Sequence, residues 1–172
     1  MATRMTARGC DCEQRLKGIV AGMVGGLAGS WTMNQFQTLL GRATEGSQQP
    51  SAGDDEDATQ KLAQIVAAHA INRRLSKDEL NVAGPTVHYM YGTIVGGLYG
   101  ALAERSLAIR ALTGAAYGAL LWAAGDEVAV PLFGLSRHST EYPPSTHAQA
   151  LAAHVVYGVT TEVVRRGVRS VL

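Results

Sequence analysis

Long stretches of this chain carry no charge. No Asp, Glu, Lys or Arg lies between Lys17 and Arg42 or between Glu79 and Glu104, and further gaps run from Arg110 to Asp126 and from Glu141 to Glu162. Charged residues make up 17% of the 172 residues, against roughly 25% in a typical soluble domain. The formal net charge is only +1, which gives no electrostatic pull on nucleic acid, and no nucleic-acid partner is expected. Cysteine is scarce too: Cys10 and Cys12 are the only two. Thiols this close do not readily form an ordinary disulfide, and no second ligand pair accompanies them, so they read as reduced surface thiols. The metalloprotease H-E-x-x-H, the phosphate-binding G-x-x-x-x-G-K and any nucleophile motif around Ser30, Ser106 or Ser145 are all missing. The expectation is a non-enzymatic protein without a cofactor. The first 17 residues lack an apolar segment followed by a small-residue cleavage site, so the first apolar span is expected to be retained.

What is present is apolar and glycine-rich. A membrane-spanning helix needs about 20 mostly apolar residues. The first two charge gaps meet that length. The third does so if Asp126 and Glu127 lie in or at the membrane, and the fourth contains His147 and His154. The chain therefore reads as an all-α, integral membrane four-helix bundle; a soluble bundle with a glycine-rich core is the alternative. Residues 1–17 form a cytoplasmic N-terminal segment and 18–172 a single four-helix membrane domain. Helix one runs from Gly18 to about Leu40, helix two from near Pro85 to about Glu104, helix three from Ala111 to about Val130, and helix four from about Thr146 to Val164. The extramembrane loop 41–84 holds a short amphipathic helix, started by the acidic cluster Asp54–Asp57 and ending near Leu75. Its stripe of Leu62, Ile65, Val66 and His69 suits either the membrane surface or packing on the domain.

Small residues recur four apart: Gly18, Gly22, Gly26 and Ser30 in helix one, Gly92, Gly96 and Gly100 in helix two, Gly114 and Gly118 in helix three. That spacing lines one helix face and lets another backbone approach closely. Basic residues flank the spans: Arg4, Arg8, Arg15 and Lys17; then Arg105 and Arg110; then Arg165, Arg166 and Arg169. With four spans these segments share one side, which the positive-inside rule makes the cytoplasm, with both termini there. Tyr89, Tyr91, Tyr142 and Trp31 suit the opposite interface, while Tyr99, Tyr117 and Trp122 suit packing.

The halves echo each other. His88-x-x-Tyr91-Gly92 matches His154-x-x-Tyr157-Gly158, and Gly22, Gly26, Asn34 and Gln35 match Gly114, Gly118, Asp126 and Glu127 at a constant offset. A duplicated helical hairpin is one reading; chance likeness among glycine-rich helices is the other. Ionisable groups in apolar helices face the bundle interior or a wet cavity. The candidate site is thus a polar cluster of His88, Asp126, Glu127 and His154, with Asn34 beside it. Three roles are open to it: a divalent metal site, a proton-responsive site, or interhelical hydrogen bonding that sets register. Glu104 beside Arg105, and Glu162 three and four residues before Arg165 and Arg166, read as interface ion pairs.

The second half resembles the YagU-like family of small bacterial inner-membrane proteins, whose biochemical activity is unknown. The resemblance rests on His88 and Glu104 spaced His-x15-Glu, on Pro131-Leu132-Phe133-Gly134-Leu135 followed by Pro143-Pro144, and on His154, Glu162, Arg165, Arg166 and Arg169 at matching spacing. It covers about residues 84–170. The loop between Gly134 and Pro143 is longer than the family's, and Asp126 stands where the family carries histidine. The resemblance implies a bacterial inner-membrane location and a link to acid tolerance, and it supplies no catalytic residue. The leading expectation is a proton-responsive membrane protein of acid or envelope homeostasis. The alternatives are a structural or accessory subunit of a larger membrane complex and a metal-binding membrane protein. Expected partners are the lipid bilayer and, beyond it, further copies of the chain or other membrane subunits.

Overall fold

The structure, a computed structural model, describes residues 2–43, 58–106, 109, 114–137 and 139–172, with first-helix side chains from Cys12 onward. It is all-helical, with no strand among the described residues. The helices are α1 (Ala2–Ala43), α2 (Ala58–Ala70), α3 (Lys77–Ala103), α4 (Gly114–Ala124) and α5 (Pro144–Arg169). After Ala124 the chain continues through a π-helical turn, Gly125–Ala129, and one further helical turn, Val130–Leu132.

Several boundaries differ from those expected. The polar segment before Gly18 is not separate from helix one, because α1 is continuous from Ala2. Helix two begins at Lys77 rather than near Pro85. The signal that decides this is a capping box: Glu79 N–H donates to Ser76 Oγ (3.3 Å), and Ser76 N–H donates to Glu79 Oε2 (2.8 Å). Two orphan donors are satisfied there, and Pro85 falls inside the helix instead. The short helix α2 ends at Ala70, where Asn72 takes a left-handed backbone (φ 51°) that asparagine tolerates. The acidic cluster Asp54–Asp57 lies outside the described residues. Helix four is longer than expected at both ends, starting at Pro144 and reaching Arg169.

In space the order is α3, α1, α5, α4, and each neighbouring pair runs antiparallel. Glycine decides the contacts. A Cβ on Gly22 or Gly26 would overlap the carbonyl of Gly96 or Gly92, and one on Gly96 would lie 2.7 Å from Gly26 Cα. The second pair repeats this: Cβ atoms on Gly114 and Gly118 would strike the Gly158 and His154 carbonyls. Both hairpins therefore pack backbone against backbone. Their registers differ by one turn, since Gly158 faces Gly114 whereas its counterpart Gly92 faces Gly26. The central seam joins α1 to α5: a Cβ on Gly25 would lie 2.5 Å from the Thr161 carbonyl, and one on Gly29 2.8 Å from that of Tyr157. The glycine faces of helices one, two and three are thus occupied within the chain.

The interior combines small, aromatic and polar side chains, with Met33, Ala153 and Tyr157 forming an apolar cluster. Ser30 and Thr161 are 0% exposed and Glu162 is 4% exposed, whereas Leu98 (59%), Leu120 (58%) and Val163 (65%) face outward. On α2 the apolar stripe is also outside: Ile65 and Val66 are exposed, while Ala63 and Ala67 are buried. By mean hydropathy, no helix among the described residues is long and apolar enough to cross a membrane.

Candidate functional site

The polar side chains gather in two layers at opposite ends of the bundle. The first is built on the π-helical turn. Pro131 has no N–H to give to the carbonyl four residues back. Immediately before it, Val130 N–H bonds to the Gly125 carbonyl, five residues back, and α-helical bonding resumes with Phe133 N–H to the Ala129 carbonyl (3.0 Å). The widened turn holds Asp126 and Glu127, and such insertions are frequent at functional sites.

Both acids meet histidines of α5. Glu127 Oε1 lies 2.6 Å from His147 Nδ1, and Asp126 Oδ2 lies 3.6 Å from His154 Nδ1. His147 and His154 are two helical turns apart, on one face. His154 Nδ1 also lies 2.9 Å from the Ala150 carbonyl. A carbonyl only accepts, so Nδ1 carries the proton and Nε2 is the nitrogen that takes up a second one. All four side chains are partly exposed, from 12% at His154 to 40% at Asp126. The Tyr91 hydroxyl sits beside Gly125, 3.8 Å from where its Cβ would be.

The structure thus joins Asp126 with His154 but gives Glu127 a partner, His147, that was not among the candidates. Its signal was available, since His147 and His154 are seven residues apart in one apolar segment. Asn34 reaches a different group, donating to the Tyr89 hydroxyl (3.3 Å). His88 packs edge-on against the Tyr89 ring, with centroids 5.8 Å apart. Among the described residues no group of three or more His, Cys, Asp or Glu side chains is arranged to hold a metal ion.

The second layer was read from sequence only as two local ion pairs. Glu162 behaves as expected, accepting from Arg165 Nε (2.7 Å) and Nη2 (2.9 Å) and from Arg166 Nε (2.5 Å). Glu104, expected to serve its neighbour Arg105, accepts instead from Arg169 Nε at 2.9 Å. Arg169 Nη2 bonds Gln14 of α1 as well, so three helices are tied together. Arg165 is buried and lies over the Tyr99 ring, 5.6 Å from its centroid, a cation–π arrangement. Beside this network is a recess of about 580 Å³ lined by Glu104, Arg165, Arg166, Arg169 and Ser170.

Between the layers, Tyr157 donates to the Gly92 carbonyl (2.7 Å), and Tyr117 stacks on Tyr99 with centroids 4.1 Å apart. Both tyrosines expected to pack do so, while Trp31 and Tyr91 are exposed.

A family model described as "Protein of unknown function (DUF1440)" matches residues 47–163. The match takes in both histidine–carboxylate pairs and Glu162, and it leaves out the first helix. No curated protein and no solved structure matches the chain.

Proposed function

The chain belongs to this DUF1440 family, proteins of unknown function, and from that premise we propose a small membrane-embedded four-helix protein that responds to protons. The membrane part is supported by the distribution of apolar side chains rather than by mean hydropathy. Glycines lower the hydropathy of α1 and α3, yet they lie in helix contacts, and the outward faces are left to residues such as Leu27, Ile94, Leu98, Leu120 and Val163. In water, large apolar side chains belong inside, and extensive exposed apolar surface marks contact with a membrane or a partner. Glycine-mediated contacts with apolar side chains outward are what hydrocarbon solvent favours.

The proton-responsive part is carried by the paired His147–Glu127 and His154–Asp126 contacts on a π-helical turn. Imidazole is the side chain that titrates nearest neutrality. A second proton on His147 turns its hydrogen bond to Glu127 into an ion pair, and one on His154 sets a cation 3.6 Å from the Asp126 carboxylate, so both tighten α4 on α5. The finer likeness to the YagU-like family adds a bacterial inner membrane, with the arginine-rich end and both termini cytoplasmic, and a role in acid or envelope homeostasis.

The test is His147→Gln combined with His154→Gln in cells and in the purified protein. Acid survival should fall, and the acid-dependent tightening of α4, followed by hydrogen exchange over 114–132, should vanish. Unchanged survival and unchanged exchange would end the proton reading. Recovery of the folded chain as a freely soluble monomer without detergent would end the membrane reading.

A second reading, an accessory subunit of a larger membrane complex, is supported by the same outward apolar residues. The glycine faces lend it no support, since they are used inside the chain. Purification in gentle detergent as a lone monomer counts against it.

A further inference from the structure

We infer that the recess at the arginine-rich end is a binding site for a phosphate oxyanion, supplied in the membrane by the headgroup of an anionic phospholipid. The choice of a lipid as the source rests on the membrane reading above; the oxyanion chemistry does not.

Arg165, Arg166 and Arg169 line one recess together with Ser170. Three guanidiniums there face two carboxylates, Glu104 and Glu162. Cations in the last turn of α5 suit the helix dipole, and that accounts for Arg166 and Arg169 singly. It does not account for three arginines from two turns meeting at one concavity with Glu104 from the end of α3.

The carboxylates hold the guanidiniums by one edge. Glu162 takes Nε and Nη2 of Arg165 and Nε of Arg166, and Glu104 takes Nε of Arg169. Among the described residues Arg166 makes no other hydrogen bond, and its side chain is 61% exposed. Its two Nη groups remain to donate as a fork, the geometry that matches phosphate oxygens. Fixing a flexible side chain before the ligand arrives removes part of the ordering cost of binding. The recess volume of about 580 Å³ lies within the range of small-molecule sites, roughly 300–1,000 Å³. It therefore takes a glycerophosphate headgroup as well as a bare phosphate. Basic pockets between helix ends on the cytoplasmic side are where anionic headgroups bind.

The experiment is native mass spectrometry of the full chain released from detergent, with phosphatidylglycerol, phosphatidylcholine or inorganic phosphate added in separate arms. The wild type should retain phosphatidylglycerol at least tenfold more than phosphatidylcholine. Arg166→Gln should lower that retention roughly tenfold, the loss of one charge-assisted contact, and Arg166→Lys should restore it only in part. Equal retention of the two lipids, or retention unchanged in Arg166→Gln, would overturn the proposal. If millimolar inorganic phosphate alone raises the wild-type melting temperature in lipid-free micelles and phosphatidylglycerol is not retained, the lipid source is overturned. The lipid comparison on the wild type needs no variant to fold. A folded chain that needs detergent to stay in solution, yet retains no phosphatidylglycerol, separates failure here from failure of the membrane reading.

Discussion

Where α1 shows Gly25 and Gly29 to α5, the corresponding positions of α4, at the constant offset that relates the two halves, are Tyr117 and Leu121. The two seams differ accordingly. Across the first, a Cβ would collide with the opposite backbone, and Thr32 Oγ1 reaches Thr160 Oγ1 at 3.0 Å. Across the second, α4 meets α3 through the stacked rings of Tyr117 and Tyr99. The two hairpins therefore assemble asymmetrically. A small side chain brings two helices into backbone contact, and a large one at the equivalent place keeps them a ring's width apart. The aromatic seam is the one formed by α4, which carries the π-helical turn with Asp126 and Glu127.

The comparison can be broken most forcefully at Gly96. A valine there must push against Gly26 Cα and N, at 2.7 and 3.0 Å from the added Cβ, and neither can move without moving a helix. Overpacking of this kind costs about 3 kcal/mol, read as a lower unfolding midpoint in detergent. Gly167→Ala is the control: a Cβ there meets nothing within 4 Å, so the substitution should leave the midpoint unchanged or raise it by about 0.5–1 kcal/mol.

A smaller effect is expected on the aromatic seam. Tyr117→Ala removes one stacked pair, about 1 kcal/mol beyond its packing, and should loosen α3 from α4 while leaving α1 on α3 and α5 intact. Cysteine cross-linking across each seam would show it. Loss of all seams together would mean that the halves do not differ as described.

The smallest effect lies outside the bundle, at the junction of α2 and α3. The Arg73 guanidinium beside Glu79, followed by its bonds to Ser76, holds the Glu79 carboxyl down at about 2, from an ordinary 4.5. A carboxyl depressed in the folded state stabilises the junction above its unfolded value and loses that contribution as it protonates. Order over residues 71–80 should thus be full above pH 4.5 and decline as the pH falls toward 2. Glu79→Gln should remove that dependence, measured by hydrogen exchange, without altering the acid response of α4.

Much of this architecture was legible in the chain. Glycines four apart marked which faces meet, because the absence of a side chain is itself the contact. The Ser76–Glu79 box was legible as well and outranks Pro85 as the start of α3, since it satisfies two backbone donors whereas proline is merely tolerated near a helix start. The π-helical turn was harder to see: Pro131 shows that one bond must be lost, but not how the helix absorbs the loss.

By itself, the sequence determined that the chain is helical, which faces are glycine-lined, and that imidazoles and carboxylates lie inside otherwise uncharged segments. These are properties of spacing along one helix. Only the tertiary structure decided that Glu127 serves His147, that Glu104 serves Arg169, and that three arginines share a recess with the end of α3. Such pairings join residues far apart in the chain, and their reach depends on helix register, which shifts by a full turn between two hairpins of closely similar pattern.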